Sequence, residues 1–168
     1  GQAGFHMTDT SCPISAQTWG AAYASAQAAI AGSEAILHGA RQAYALCRPP
    51  GHHAETATPM GFCLFGTVAI AAKRALYHHG LGRVAVVDFD VHHGNGTQDL
   101  LWGEPRAFLA TSQQMPLWPG SGDASETGAH GQILNLPLPP ESTGAMMRAA
   151  YEAQVFPALD AFKPDLIL

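Results

Sequence analysis

Two aspartates and two histidines follow a run of apolar, β-branched residues: Val84 to Thr97 reads VAVVDFDVHHGNGT. While a chain stays extended, side chains two apart point the same way. Asp88, Asp90 and His92 then share one side, and Phe89, Val91 and His93 the other. Two carboxylates and an imidazole in line form a metal-ligand pattern. Mixed oxygen and nitrogen donors suit Zn2+, Fe2+, Mn2+ or Co2+ better than Ca2+ or Mg2+. A catalytic zinc takes three protein ligands and keeps one position open; Asp88 sits too far back to be an obvious direct ligand. Gly94 and Gly96 let the backbone turn sharply and let another group come close. The plainer reading is a capped strand end with surface histidines, and it would prevail for an isolated Asp-x-His. Three candidate ligands at a strand's carboxyl end, followed by glycines, favour the metal site.

A second group lies in RPPGHHAE, Arg48 to Glu55. Pro49 and Pro50 stiffen the segment and Gly51 turns it, so His52 and His53 project from a rigid loop. Adjacent histidines can act as general base and acid beside a metal-bound water; the alternative is a pair of solvent-exposed loop histidines. Two other pairs calibrate this reading. His78 and His79 end a helix before Gly80, where the dipole favours imidazolium, and read as structural. His93 points away from His92 and packs or bonds locally. His6, His38, His130 and the pair Met146–Met147 are assigned no chemical role.

The elements that must hold these groups can be read from periodicity and breakers. Residues 1–16 are turn-rich. Ala21 to Leu37 is an alanine-rich helix stopped at Gly39. Ala43 to Cys47 is a short strand, and Gly61 to His79 a second helix with Gly80 after its last turn. Val84 to Phe89 is the clearest strand. Thr97 to Trp102 gives a helical turn or two, Ala107 to Thr111 a strand, and Met115 to Gly131 a long loop. Ile133 to Leu138 is a strand, Thr143 to Phe162 a helix broken near Pro157, and Asp165 to Leu168 a further strand. Helices alternate with continuously apolar strands, which predicts an α/β fold with a mostly parallel sheet covered on both faces. Ligands bind such sheets beyond the strands' carboxyl ends, where the loops after Cys47, Phe89 and Thr111 converge.

Composition narrows the function classes. The chain has 168 residues, 47% hydrophobic and 12% charged, enough for one domain with a core. A formal charge of −5 with only eight Lys and Arg argues against direct nucleic-acid binding. No basic amphipathic helix or membrane-length apolar run occurs. The three cysteines, Cys12, Cys47 and Cys63, read as buried thiols in a reducing compartment rather than a disulfide framework. With no signal-like start, the expected compartment is the cytoplasm. A first residue that is Gly and a last stretch PDLIL fit a piece of something longer.

RPPGHHA, MGFCLFGTVAIAA, VAVVDFDVHHGNGTQ and PLWPGSGDASETG, in this order, together resemble the zinc-dependent histone deacetylase family, and most closely its class II and bacterial deacetylase-like amidohydrolase branch. The resemblance implies an arginase/deacetylase-like open α/β sheet and zinc-dependent hydrolysis of an N-acetylated amine. It implies that Asp90 and His92 are two of three zinc ligands and that His52 and His53 are the tandem catalytic histidines. Asp88 resembles the aspartate behind the first histidine. Asp88, Asp90, the His92 backbone and Ser112 resemble the ligands of a structural potassium ion. Asn95 stands where some branches carry an aspartate that pairs with the second histidine. Gly61, Phe62 and Trp118 resemble the walls of a narrow acyl-lysine channel; Trp118 replaces a more usual Phe or Tyr, and Gln113 stands where a histidine is common.

By the same resemblance the third zinc ligand and a carbonyl-polarising tyrosine lie beyond Leu168, so residues 1–168 are expected to be a partial catalytic domain. Such a part is expected to be inactive alone and to fold as a homo-oligomer or beside further chain, because two ligands hold zinc weakly and an uncovered parallel edge is apolar. His53 is expected as general base and then acid, with His52 as its electrostatic partner held by Asp88; the two roles can be exchanged. Acetyl-lysine and acetylpolyamine are the expected substrate types. Two other functions compete. An arginase-like binuclear amidohydrolase wants a further carboxylate where Gly94 stands. A non-catalytic acyl-ligand-binding or scaffold protein of the same fold would not need the intact His52–His53 pair.

Overall fold

The computed structural model describes residue 7 and residues 9–168; His6 lies outside them. Four strands, β1 (Val84–Asp88), β2 (Ala107–Gln114), β3 (Ile133–Leu138) and β4 (Leu166–Ile167), form one sheet in the order β3-β2-β1-β4. Every pairing is parallel. The helices are α1 (Thr18–Leu37), α2 (Thr67–Tyr77), α3 (Asn95–Leu101), α4 (Gly144–Ala150) and α5 (Phe156–Phe162). This is the open, doubly covered α/β sheet that the continuously apolar strands predict.

Strand pleating sorts the apolar residues onto two faces. Val84 and Val86 of β1, with Ala107 and Leu109 of β2, pack under Ala69, Ala72, Ala75 and Leu76 of α2 and Leu101 of α3. Ala85, Phe108, Ala110 and Leu136 face the other way, onto Val155, Tyr151, Leu159 and Phe162. Asp88 continues the series Val84, Val86 and ends β1 beneath the loop that leads into α2.

Several boundaries differ from those expected. Ala43 to Cys47 is not a strand. It runs alongside the free side of β4 but across a cleft of about 590 Å³ lined by Ala43, Ala45, Cys47, Leu166 and Leu168. With no partner ladder within reach, the segment leaves Tyr44 at 88% and Leu46 at 81% exposure. Helix α2 begins at Thr67 rather than Gly61. Gly61 and Phe62 both adopt positive φ, which ends any helical run there. β2 continues three residues past Thr111, because Ser112 to Gln114 pair with β3. The helix from Thr143 is not cut at Pro157. Instead Tyr151–Val155 widens into a π-helical turn just before the proline, a local rewinding that accommodates a missing backbone donor.

His79 bonds Glu34 at 3.1 Å and so joins α2 to α1, the structural part expected of it. A second ion pair, with only its carboxylate buried, sits at the opposite end of the sheet from the histidine loop. Glu104 accepts from Arg106 Nε at 3.0 Å and Nη2 at 3.1 Å, and from the Tyr77 hydroxyl. The Arg106 hydrogen bond, with Tyr77, lowers the Glu104 pKa from 4.5 to about 2. Because Arg106 is 40% exposed, solvent screens much of this, and we expect Glu104→Gln to lose about 1–2 kcal/mol at neutral pH. The folded-state pKa is the lower one, so the contribution is full above the unfolded value and fades as pH falls toward 2. Urea midpoints of the two proteins should therefore differ at pH 7 and converge on acidification; equal midpoints at pH 7 would refute the pairing.

Candidate active site

The loop carrying His52 and His53 is tied down on both sides. Ser25 of α1 donates its hydroxyl to Pro49 O at 2.7 Å. At the other end, Thr56 gives its backbone N–H and its hydroxyl to Asp99 Oδ2 of α3, at 2.8 and 2.7 Å. The first turn of α3 presses against the same loop: Thr97 N donates to His52 O at 3.1 Å, and a Cβ on Gly96 would lie 2.4 Å from Ala54 O. A Cβ on Gly94 would lie 2.5 Å from Asp88 Oδ2 and 3.3 Å from His52 Nδ1. These two glycines let the end of β1 and the histidine loop meet.

What meets there is an ordered pair of imidazoles. His52 Nδ1 and Asp88 Oδ2 are 2.9 Å apart. Burial disfavours a charged His52, but the Asp88 carboxylate outweighs it and the pKa lies above the ordinary value. The His53 ring lies 3.9 Å from that of His52. Burial, and then the neighbouring charge of His52, lower the His53 pKa to about 4. Its Nδ1 faces Asn95 Oδ1 at 2.8 Å. Asn95 Nδ2 donates to Glu55 Oε1 at 2.7 Å, which fixes the amide with its oxygen toward the histidine. His53 therefore donates from Nδ1, and Nε2 is left with its lone pair.

Asp90 and His92 follow β1 on the solvent side of this pair. Asp90 Oδ1 accepts from His92 N at 2.8 Å and lies 3.0 Å from His92 Nδ1. Burial works against the Asp90 carboxylate, yet the His92 N–H groups lower its pKa. Asp88 Oδ1, behind, accepts from Asp90 N at 3.0 Å. Among the described residues, no group of three or more His, Cys, Asp and Glu is arranged to hold a metal ion. The aligned triad Asp88–Asp90–His92 is thus not a three-donor set, because Asp88 turns to His52. Asp90 and His92 remain as two adjacent donors, one oxygen and one nitrogen. A cation there would displace the proton they share.

Trp118 closes the other side. Its ring lies 4.6 Å from His53 and 6.0 Å from His92. Gly61 is packed so tightly that a Cβ would stand 2.4 Å from His53 and 2.7 Å from Trp118. Phe62 lies at the rim, 64% exposed. Ser112 Oγ is 3.0 Å from the Tyr151 hydroxyl; burial and the nearby Asp88 charge raise the Tyr151 pKa against that bond. The two imidazoles, Asp88, Asn95, Asp90, His92, Gly61 and Trp118 are therefore brought to one place, with Ser112 behind β1.

Two carboxylates at this site escape the sequence reading. Glu55 holds Asn95, and Asp9 holds the rim: Asp9 Oδ2 accepts from Gly61 N at 2.9 Å and Oδ1 from the Ser11 hydroxyl at 2.7 Å. The signal for Glu55 was Asn95 itself, whose amide needs an acceptor once its oxygen is committed. Nothing in the sequence marks Asp9.

A histone deacetylase domain family model matches residues 2–168. The chain is 40% identical to an acetylpolyamine amidohydrolase of Burkholderia pseudomallei, across 99% of this chain and 50% of that protein. It is 48% identical to a protein named histone deacetylase 10, chloroplastic, of Oryza sativa subsp. japonica, across 74% of this chain and 29% of that one. The crystal structure of acetylpolyamine aminohydrolase from Burkholderia pseudomallei superposes with a TM-score of 0.92 at 39% identity, covering 99% of this chain and 49% of that one. The chain spans about half the length of such full-length relatives.

Proposed function

The chain belongs to the histone deacetylase family, and from that premise we propose that the full-length protein hydrolyses the acetamide of an N-acetylated amine. The observation that carries the proposal is the unequal histidine pair, one imidazole on a carboxylate and one on an amide, beside Asp90 and His92. Acetyl-lysine and acetylated polyamines are the substrate types. We take residues 1–168 as part of one catalytic domain, inactive by itself.

Asp90 and His92, one oxygen and one nitrogen donor, would be two of the ligands of a zinc ion, which would supply Lewis-acid polarisation of the acetyl carbonyl and of a water. A further donor would approach through the open cleft of about 1020 Å³ that Asp90 shares with His52, Tyr44 and Leu168. The remaining steps belong to this chain's own side chains. His53, neutral at physiological pH, takes the proton of the attacking water on Nε2. Asn95 holds Nδ1 so that Nε2 stays the accepting atom. His52, kept more basic by Asp88, places positive charge where the tetrahedral oxyanion forms. His53 then returns its proton to the leaving amine. Trp118 and Gly61 flank the acyl group, with Phe62 at the entrance. On the same reading, Asp88, Asp90, the His92 backbone and Ser112 would be the oxygen ligands of a structural potassium ion. Cys12 and Cys63 are buried as expected and Cys47 is only half-buried; the cytoplasm is the compartment proposed, and no helix among the described residues is long and apolar enough to cross a membrane.

The test is acetate release from an acetyl-lysine peptide and from an acetylated diamine by the full-length protein. Activity should vanish on chelation and return with stoichiometric zinc. Undiminished turnover in chelator would overturn the metal-dependent reading.

A further inference from the structure

Trp118 is carried by residues 115–132, which contain no helix or strand, so side chains and loop bonds must fix it. The incoming end is held by Gln114 N to Val91 O and Met115 N to Leu138 O, both 2.9 Å. On the outgoing side, Ser121 Oγ lies 2.8 Å from His93 Nδ1, and Gln113 Nε2 donates to Gly122 O at 2.6 Å. Gly122 has φ +91, and a Cβ there would come within 2.6 Å of both His93 and Gln113. The turn is therefore seated on two buried side chains.

One carboxylate locks that seat. Glu126 Oε1 accepts from Gly122 N and Asp123 N, both at 3.1 Å. Its Oε2 accepts from Gln98 Nε2 at 2.5 Å. Gln98 cannot reverse its amide freely, because its Oε1 takes Asn135 Nδ2 at 2.8 Å and faces His93 Nε2 at 3.2 Å. Three N–H donors thus converge on one acceptor-only group.

We propose that Glu126 is a positioning residue: by clamping the Ser121–Gly122 turn onto His93 and Gln113 it sets the place of the Trp118 wall, and so selects which acyl groups enter. The selectivity half rests on the deacetylase reading above; the positioning half does not. An alanine at 126 releases all three donors. A glutamine keeps one acceptor for the turn but sets an amide donor against Gln98, so its effect is smaller and in the same direction.

The experiment uses full-length protein labelled with 5-fluorotryptophan, with the Trp118 fluorine line assigned by its loss in Trp118→Phe. Glu126→Ala should shift and broaden the Trp118 line, with or without zinc, and leave the Trp19 line in place; Glu126→Gln should move the Trp118 line less. Glu126→Ala should raise kcat/KM for a butyrylated amine relative to its acetylated form by about fivefold, through KM, Glu126→Gln by less, and neither should add anything in a Trp118→Ala background. An unmoved Trp118 line in both variants overturns the proposal, as does a moved line with unchanged acyl preference. If Glu126→Ala collapses every line, the Gln variant decides. A wild-type protein with no deacetylase activity overturns the underlying reading instead, while the fluorine line still decides the positioning.

Discussion

Replacing His53 by Ala in the full-length, zinc-loaded protein is expected to lower deacetylation by about 10²–10⁴-fold, the range a positioned proton-transfer group supplies, while zinc content stays near one per chain. The expectation follows from how the two histidines differ. Both sit on one tied-down loop with rings 3.9 Å apart, yet His52 leans on a carboxylate and His53 on an amide. The first arrangement favours an imidazolium, the second a neutral base with a fixed tautomer. His53 lies 5.9 Å, ring to ring, from His92, so its loss should not empty the proposed metal site. His52→Ala, by contrast, should lose rate through the oxyanion while leaving a base in place. A His53→Ala protein with wild-type turnover would refute the assignment. So would loss of zinc in that variant, which would make His53 a ligand.

Asp90→Ala is expected to act on the metal itself. Removing a group that merely supports a ligand costs roughly 10–100-fold in metal affinity or activity, so loss of a direct ligand should exceed about 100-fold and leave the protein with substoichiometric zinc. The change also removes the acceptor of two His92 N–H groups, so His92 loses its orientation along with its neighbour. Asp160→Ala, an exposed carboxylate on α5, serves as the control and should bind zinc normally. Zinc content measured by atomic absorption after gel filtration checks both. Stoichiometric zinc in Asp90→Ala would remove Asp90 from the ligand set.

The legible parts of the molecule were those with a local signature. The run Val84 to Asp88, the alanine helix and the glycines after the first two helices are written in consecutive residues; the strand and the helix end at Leu37 came out where periodicity placed them, while that helix starts three residues earlier than expected, at Thr18. The convergence of the loops after β1 and β2 follows from parallel topology; the loop after Cys47 joins them although Ala43 to Cys47 is no strand, held there by Ser25, Asp99 and Thr97. The alternation rule brought Asp90 and His92 together but overreached at Asp88, because β1 ends there and the aspartate is drawn to a loop 36 residues earlier. Ala43 to Cys47 has a strand's composition, but a strand also needs a neighbour, and composition says nothing of that. Asp9, Glu55 and Glu126 escaped because each is a lone acid whose partners are distant in sequence or belong to an irregular loop. Their meaning lies in the donors they satisfy, which only coordinates reveal.

On the proposed reading, Asp90 and His92 grip one cation next to His52 and His53. Anomalous diffraction at the zinc edge from crystals of the zinc-loaded full-length protein tests it directly. A single strong peak is expected at bonding distance, about 2.0–2.2 Å, from an Asp90 carboxylate oxygen and a His92 ring nitrogen. A peak elsewhere in the molecule, or one that touches neither residue, would contradict it.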